Sequence, residues 1–433
     1  MFTEYIKKAV SPYHTVLAAK EMLDAAGFEE LKMSGEWTLK KNGSYYVIPF
    51  KSAVFAFTVG EKGLRIAAAH TDFPCPHVKP KAELESRGYL RLNTEIYGGP
   101  ILNTWLDRPL SMAGRVLLKS KNVFAPREKM IDFARPMLTI PNLAIHYNRD
   151  VNKGVELSKQ NDMLPLIGMT EILEQPGAGS EDTVSKDNYF LKLVADEIGE
   201  KPEDILDFDI YIYNYDEPAL IGMRKEMLSS PRLDNLTSCY ACVSAIIEAA
   251  KRKKKAAAPT KIAALFDNEE IGSGTKQGAD SALLRQLLNK IYSATKRSEI
   301  ELENDISEGF LISADVAHAL HPAKGEKYDP VNNMRMNEGV TFKLSANQRY
   351  SYDAVAVASL QQLCEKHNIR YKKFVNNSDM PGGGTLGPII SSWLPMKTVD
   401  IGVPILAMHS ARELMGVQDQ QALEKLIEVF FEE

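Results

Sequence analysis

Leu64-Arg-Ile-Ala-Ala-Ala-His70-Thr-Asp72 is an apolar run that ends in an imidazole and, two residues on, a carboxylate. A short apolar run reads as a buried strand, and open α/β sheets present ligand-binding groups at the carboxyl ends of their strands. The same figure returns along the chain. Residues 261–266 lead to Glu269-Glu270, residues 310–313 to Asp315 and residues 401–408 to His409, while Asp234 follows Ser-Pro-Arg-Leu. Carboxylates and imidazoles at such strand ends can meet in one crevice. Buried charge without a partner is costly or neutralises itself, so a cluster of acids there calls for a cation.

The 433 residues exceed one ordinary core, so two domains are expected. Apolar residues at 44% and charged residues at 25% suit a folded globular protein, and disorder is not indicated. A net charge of −5 gives no electrostatic reason to expect nucleic acid or an anionic membrane as partner. No apolar segment approaches the roughly twenty residues that span a bilayer. The first residues also lack the basic stretch and hydrophobic core of a secretion signal, so a cytoplasmic location is expected. Cys75, Cys239, Cys242 and Cys364 are too few and too scattered for a disulfide framework. Cys239 and Cys242, inside an amphipathic stretch over 236–250, read as buried small side chains rather than a redox or zinc pair.

Ser11-Pro12 predicts a helix start, Val16, Ala19, Leu23 and Ala26 its apolar face, and Gly27 its stop. Residues 45–50 and 53–59 read as strands. From 81 to 223, short strand-like runs such as 116–119 and 208–214 alternate with turns and carry no strand-end ligand. That stretch predicts an inserted β-rich domain, with a mobile surface loop over 174–188. After Asn235 the alternation of helix and strand predicts an α/β sheet flanked by helices, so residues 1–80 and 224–433 would share one discontinuous catalytic domain. Five basic residues at 251–255 fall in the last turn of a predicted helix, where a solvated face that complements the helix dipole is a simpler reading than a nucleic-acid patch.

Zinc and similar divalent ions take His nitrogen and carboxylate oxygen, and two neighbouring ions share a bridging carboxylate. The economical assignment sets His70 and Asp315 on one ion, Glu270 and His409 on the other, and Asp234 between them. Successive side chains of an extended segment point in opposite directions. On a tight turn over 268–272, Glu270 can ligate while Glu269 faces the bound water as general base. Asp72 stands where it can hold the second nitrogen of His70 and fix its tautomer. Each signal is weak singly. An H-x-D pair can be a surface or capping pair, Asp234 can cap a helix, Glu269-Glu270 can be solvated acids, and His318 and His321 can be structural histidines or alternative ligands. The ordered set carries the argument.

Longer motifs go further. Ser11-Pro12-Tyr-His14, His70-Thr-Asp72-x-Pro-Cys75, Thr104-Trp105-x-Asp107-Arg108, Ile140-Pro-Asn-Leu-Ala-Ile-His146, Ser230-Pro-Arg-Leu-Asp234-Asn235, Asp267-Asn-Glu269-Glu270-x-Gly-Ser273, Ala314-Asp315-x-Ala-His318-Ala-x-His321-Pro322 and Ala407-Met-His409-Ser-x-Arg-Glu413 run nearly end to end. On these the chain resembles the aspartyl aminopeptidases and their vacuolar aminopeptidase relatives, which are dinuclear-metal exopeptidases. The resemblance implies the same five ligands, Glu269 as base, Asp72 orienting His70, and zinc in both positions, with cobalt and manganese suited to the same donors. It implies an α/β/α metallopeptidase domain interrupted by a β-rich dimerisation domain, and homo-oligomers in the form of tetrahedral dodecamers whose inner chamber admits short peptides. It also implies that His321 lies near the substrate and that Lys343, in Phe342-Lys343-Leu, faces an acidic substrate side chain.

One departure stands out. Where the family commonly has His-Thr-Trp-Phe-Asp-Arg-Asp, this chain has Asn103-Thr-Trp-Leu-Asp-Arg-Pro. The missing histidine is one the family directs at a neighbouring subunit's active site, and asparagine can neither carry a charge nor shuttle a proton. The expected function is a metallo-aminopeptidase that removes N-terminal residues, acidic ones among them, from peptides with a water held between two metals, which Glu269 deprotonates to the attacking hydroxide. A carboxypeptidase or amide deacylase on the same site and a catalytically inactive peptidase-like scaffold are the alternatives. The intact ligand set argues against the scaffold.

Overall fold

A computed structural model describes the chain except for residues 175–184, 186–187 and 253–257. The described residues form two compact units, one of Met1–Phe73, Pro218–Met408 and Glu413–Glu433, the other of Pro74–Glu217 with His409–Arg412.

In the first unit nine strands make a mixed sheet, in the order Glu29–Leu31, Ser44–Val47, Val54–Thr58, Thr260–Phe266, Leu64–His70, Phe310–Ala314, Lys397–Gly402, Val340–Leu344 and Tyr371–Val375. The four strands from Thr260–Phe266 to Lys397–Gly402 run parallel. They are covered on both faces, which is why they read as nearly unbroken apolar runs rather than an alternation. Ala67, Ala69, Leu265, Ile312 and Ile401 enter the core shared with the helices Pro12–Ala25, Leu233–Lys251, Ala354–Lys366 and Val417–Glu432. Ile66, Ala68, Ile262, Phe266 and Leu311 enter a second core with Leu283–Ala294, Glu299–Ser307 and Leu386–Trp393. The layers are therefore α/β/α. The alanines let Leu233–Lys251 lie close to the central strand, and Cys239 Sγ on that helix donates to the His70 carbonyl at 2.8 Å. Cys239 and Cys242 are both buried free thiols.

A second sheet of the same unit joins Ala219–Ile221, Met227–Ser230, Glu413–Gly416, Pro404–Leu406 and Ala317–His318. Here the structure departs from the sequence reading, because residues 401–408 are not one strand. Lys397–Gly402 ends in the main sheet and Pro404–Leu406 belongs to the second. Two residues explain the switch. Gly402 passes so near the Asp315 carbonyl that any Cβ would run into it, and Pro404 has no N–H with which to continue a ladder. At the other end of the chain, Ser11 caps Pro12–Ala25 by accepting from His14 N, as its sequence predicts. A further helix, Phe2–Lys8, precedes it, too short for periodicity to reveal.

The second unit is built on a six-stranded antiparallel sheet in the order Arg127–Asp132, Leu110–Leu118, Ile205–Asn214, Cys75–Ser86, Tyr89–Tyr97 and Leu166–Met169. The helix Tyr189–Ile198 packs on it through Phe190, whose ring centroid is 5.3 Å from that of Phe208. Its main segment runs from 74 to 217, where the sequence reading had 81 and 223. The loop read over 174–188 lies largely outside the described residues. So does most of the basic run at 251–255, of which Lys251 ends its helix and Arg252 pairs with Glu428 and Glu432. No helix among the described residues is long and apolar enough to cross a membrane.

Candidate metal centre

Three neighbouring parallel strands deliver most of the site. His70 ends Leu64–His70 in register with Phe266. Beyond Phe266 the chain bends through Asn268, at φ 62°, into the single 3-10 turn Glu269–Ile271. Asp315 directly follows Phe310–Ala314. Asp234 comes from the second sheet, where the chain leaves Met227–Ser230, turns at Arg232 with φ 59° and enters Leu233–Lys251. Its N–H donates to Glu413 Oε2 at 3.1 Å, and Asn235 Nδ2 donates to the Ala314 carbonyl at 2.9 Å. The loop that carries Asp234 is thereby tied to the strand that carries Asp315.

His70 Nε2 lies 3.3 Å from Asp234 Oδ1, 3.5 Å from Asp315 Oδ1 and 4.0 Å from Glu269 Oε2. Ligand-type atoms of His70, Asp234 and Glu270 all fall within 4.8 Å of one another. Across the ring, Nδ1 is 3.1 Å from the Asp72 carbonyl and 3.3 Å from Asp72 Oδ1. A proton held on Nδ1 by these acceptors leaves the Nε2 lone pair for a metal. Asp72 also does something its spacing does not reveal. Its Oδ1 accepts from Glu269 N and its Oδ2 from Glu270 N, each at 3.1 Å, so one carboxylate grips both the imidazole and the turn.

Both His70, 1% exposed, and Asp72, 0% exposed, are out of water. Burial opposes a charged imidazole, yet Asp234, Asp315 and Asp72 together lift the His70 pKa well above its ordinary value. Burial, reinforced by the charges of Asp315, Asp72 and Asp234, pushes Glu269 up to about 8. For Asp315 burial works upward too, but Lys343 and His70 outweigh it and hold the carboxyl below the usual range. Asp72, Asp234, Glu269, Glu270 and Asp315 thus crowd one imidazole with an excess of negative charge. The donors are a nitrogen and carboxylate oxygens, the set that zinc and similar divalent ions take, and the residues fit such an ion.

The other residues singled out in the sequence stand as follows. His409 lies in the segment that clusters with the second unit, where Ile101 N donates to its carbonyl at 2.8 Å and Ala411 N donates to Thr104 Oγ1 at 2.9 Å. Its Nδ1 is 3.0 Å from the Gly99 carbonyl, so Nδ1 is the donor and Nε2 is the nitrogen suited to a metal. His321 is exposed, and its Nδ1 accepts from Ala323 N at 3.2 Å. Asn103 lies in the 3-10 turn Leu102–Trp105. Lys343 is 2% exposed, with Nζ 3.2 Å from Asp315 Oδ2 and 3.0 Å from the Val316 carbonyl, so the residue expected to meet an acidic substrate already holds a carboxylate of the cluster. The sequence reading missed the grip of Glu413 on Asp234, and it missed Asp400, which is 0% exposed and stands opposite Lys343 in register. A lone acid within the otherwise apolar run 399–403 was the available signal for Asp400.

Comparison with known proteins identifies the family. The model of the family described as aminopeptidase I zinc metalloprotease (M18) matches residues 5–431. The chain is 44% identical to a probable M18 family aminopeptidase 2 of Clostridium acetobutylicum, over 99% of this chain and 97% of that one. Among solved structures it is similar to the chain in "Cryo-EM structure of the Ape4 and Nbr1 complex", with TM-score 0.93 and 32% identity over 99% of this chain and 84% of that one. It is similar as well to "Structure of S. cerevesiae mApe1 dodecamer", with TM-score 0.84 and 26% identity over 100% and 95% of the two chains. A strand-end cluster fit for a divalent ion, in a chain matched along almost its whole length, means that this protein belongs to the M18 family of zinc metalloproteases and is an aminopeptidase.

Proposed function

We propose that the enzyme works with two divalent ions, zinc in the first instance, held by His70 and Asp315 on one side and Glu270 and His409 on the other, with Asp234 shared. The observation that carries this reading is that His70 Nε2 stands within 3.5 Å of carboxylate oxygens of both Asp234 and Asp315 while Asp72 occupies the opposite ring nitrogen. For His409 the support is its motif and the bond from Nδ1 to the Gly99 carbonyl, which makes Nδ1 the donor and fixes the tautomer. When bound, the ions supply Lewis acidity, polarising the scissile carbonyl and making a water easier to deprotonate. Glu269, half-buried and with its carboxyl pushed up to about 8, takes that proton and returns it to the leaving amine. Asp72 keeps Glu269 and Glu270 on their separate tasks by fixing the backbone of both.

The substrates in this reading are peptides with a free N-terminus. An acidic first residue, faced by Lys343, is what the resemblance suggests, and a panel of aminoacyl substrates reads it. His321 is proposed near the substrate on its motif. The β-rich unit is proposed to make dimer contacts in a homo-oligomer, a dodecamer by analogy with the mApe1 relative and tetrahedral as the family resemblance implies, and a cytoplasmic location completes the reading. Mass measurement in solution should then give twelve times the 48.3 kDa chain.

Glu269→Gln tests the centre of the proposal. The variant should keep its metal content and lose turnover by roughly 10²- to 10⁴-fold, the usual worth of a general base. Undiminished turnover with metal retained overturns the assignment.

A further inference from the structure

We propose that Thr275 is a positioning residue for the general base: its hydroxyl, acting through Asn268, holds the turn on which Glu269 faces the reacting water and Glu270 the metal. The inference rests on the reading of Glu269 as the base given above. Beyond Thr260–Phe266 the chain changes direction on left-handed residues, Asn268 at φ 62°, Gly272 at φ 95° and Ser273 at φ 61°. Glycine adopts such a conformation freely, whereas asparagine does so with the help of local hydrogen bonds from its short polar side chain. Thr275 Oγ1 supplies one by donating to Asn268 Oδ1 at 2.8 Å.

The rest of the loop closes around this pair. Ser273 N donates to the Asn268 carbonyl and Gly272 N to the Glu269 carbonyl, both at 2.8 Å, and Asp267 N donates to the Gln277 carbonyl at 3.1 Å. Gly278 packs so tightly on Ser273 that any Cβ would meet its carbonyl oxygen. Asn268 itself is buried, and its N–H donates to Asp267 Oδ1 at 2.7 Å. Asp72 takes the N–H groups of Glu269 and Glu270, the next two residues. Three successive residues thus have their backbone N–H groups held by aspartates, and Thr275 holds the one side chain among them that serves neither as base nor as ligand.

The consequence falls on one carboxylate rather than on the whole site. A metal ligand such as Glu270 is held at its far end by the ion when the ion is bound. Glu269 is not a ligand in the reading above, so it takes its aim from the backbone that precedes it, and Asn268 is the residue immediately before. A base that misses its water by a fraction of an ångström slows the chemical step while leaving the binding of metal and peptide as they were.

Thr275→Val removes the hydroxyl at nearly constant volume, and Thr275→Ser keeps it. Zinc content and KM of T275V should match the wild type while kcat falls about tenfold, short of the roughly hundredfold that a full ångström of misplacement costs. T275S should restore kcat. In the metal-free protein, amide hydrogen exchange over residues 267–273 should be faster in T275V than in wild type. In the Glu269→Gln background, T275V should lower turnover no further, because its effect passes through Glu269. Wild-type kcat or unchanged exchange in T275V, a further loss in the Glu269→Gln background, or a T275S enzyme no better than T275V overturns the proposal. Should T275V unfold, Asn268→Gly removes the same bond at a residue where glycine accepts the positive φ: reduced kcat with zinc retained supports the proposal, and wild-type kcat defeats it. Undiminished turnover in Glu269→Gln alone would instead overturn the reading of Glu269 as the base.

Discussion

Replacing Asp72 by asparagine keeps the shape of the most connected side chain in the site and removes one acceptor and one charge. In the native protein its two oxygens take the N–H groups of Glu269 and Glu270, each at 3.1 Å, while Oδ1 stands 3.3 Å from His70 Nδ1. In the variant one oxygen becomes an amide nitrogen facing a donor. A hydrogen bond to a charged acceptor contributes about 1.5–3 kcal/mol, and leaving its buried partner unsatisfied costs about 1–3 kcal/mol. An opposite effect sets in at once. The charge of Asp72 adds to burial in pushing Asp267 up to about 7, and it also raises Glu269, so its removal relieves repulsion. The two effects largely cancel in the metal-free protein, whose thermal midpoint should move by only a few degrees. They do not cancel in the metal complex, where the imidazole loses its orienting carboxylate and the turn its clamp. Loss of such a partner lowers metal affinity about 10- to 100-fold, about 1.4–2.8 kcal/mol. Stripped wild type and Asp72→Asn, titrated with zinc against a chromophoric chelator, measure this. A dissociation constant within a factor of two of wild type would refute the argument that Asp72 organises the ligands.

Three further outcomes are expected. Gly402→Ala should cost solubility or metal content, because its Cβ would collide with the carbonyl of Asp315 and displace a ligand's own backbone; normal folding and zinc content in that variant, measured by thermal unfolding and metal analysis, would contradict it. Burial pushes Asp419 up to about 7 against the N–H donors of Asn337 and Gly339 at 2.6 and 2.8 Å. Unfolded aspartate titrates near 3.9, so the folded protein holds this proton more tightly; the contribution is complete below about pH 4 and is lost as the pH rises to about 7. Urea unfolding of Asp419→Asn at several pH values should accordingly favour the variant increasingly over wild type between pH 4 and 7, and a constant difference would exclude Asp419 as the titrating group. Chelation should lower the unfolding temperature, and restoring free zinc to about 100 times its dissociation constant should return about 2.7 kcal/mol; an unfolding temperature indifferent to both treatments would count against a cation in the native site.

Much of the sheet was legible because the strands that carry the site are buried on both faces. Residues 64–69 and 261–266 had to be apolar almost throughout, and that density marked both the strands and the acids at their ends. The tight turn at Glu269-Glu270 could be read from the glycine and asparagine around it. The run at 401–408 misled for a related reason. Apolar density does not reveal that a chain has left one sheet for another, and the glycine and proline at 402 and 404 were the punctuation for that switch. Phe2–Lys8 was overlooked because two turns of helix are too few to establish a period.

Sequence alone determined the chemistry and its order: an imidazole, carboxylates and a second imidazole, most of them stationed where buried strands end, in motifs long enough to reveal a family. The tertiary structure alone decided who holds whom. Lys343 meets Asp315 across 28 residues of chain and Asp234 meets Glu413 across 179, while Asp72 spends both oxygens on a turn 197 and 198 residues away. Periodicity and capping are local rules, written over a turn or a strand. A pairing between distant segments leaves no period in either one, and becomes visible when packing brings the two backbones together.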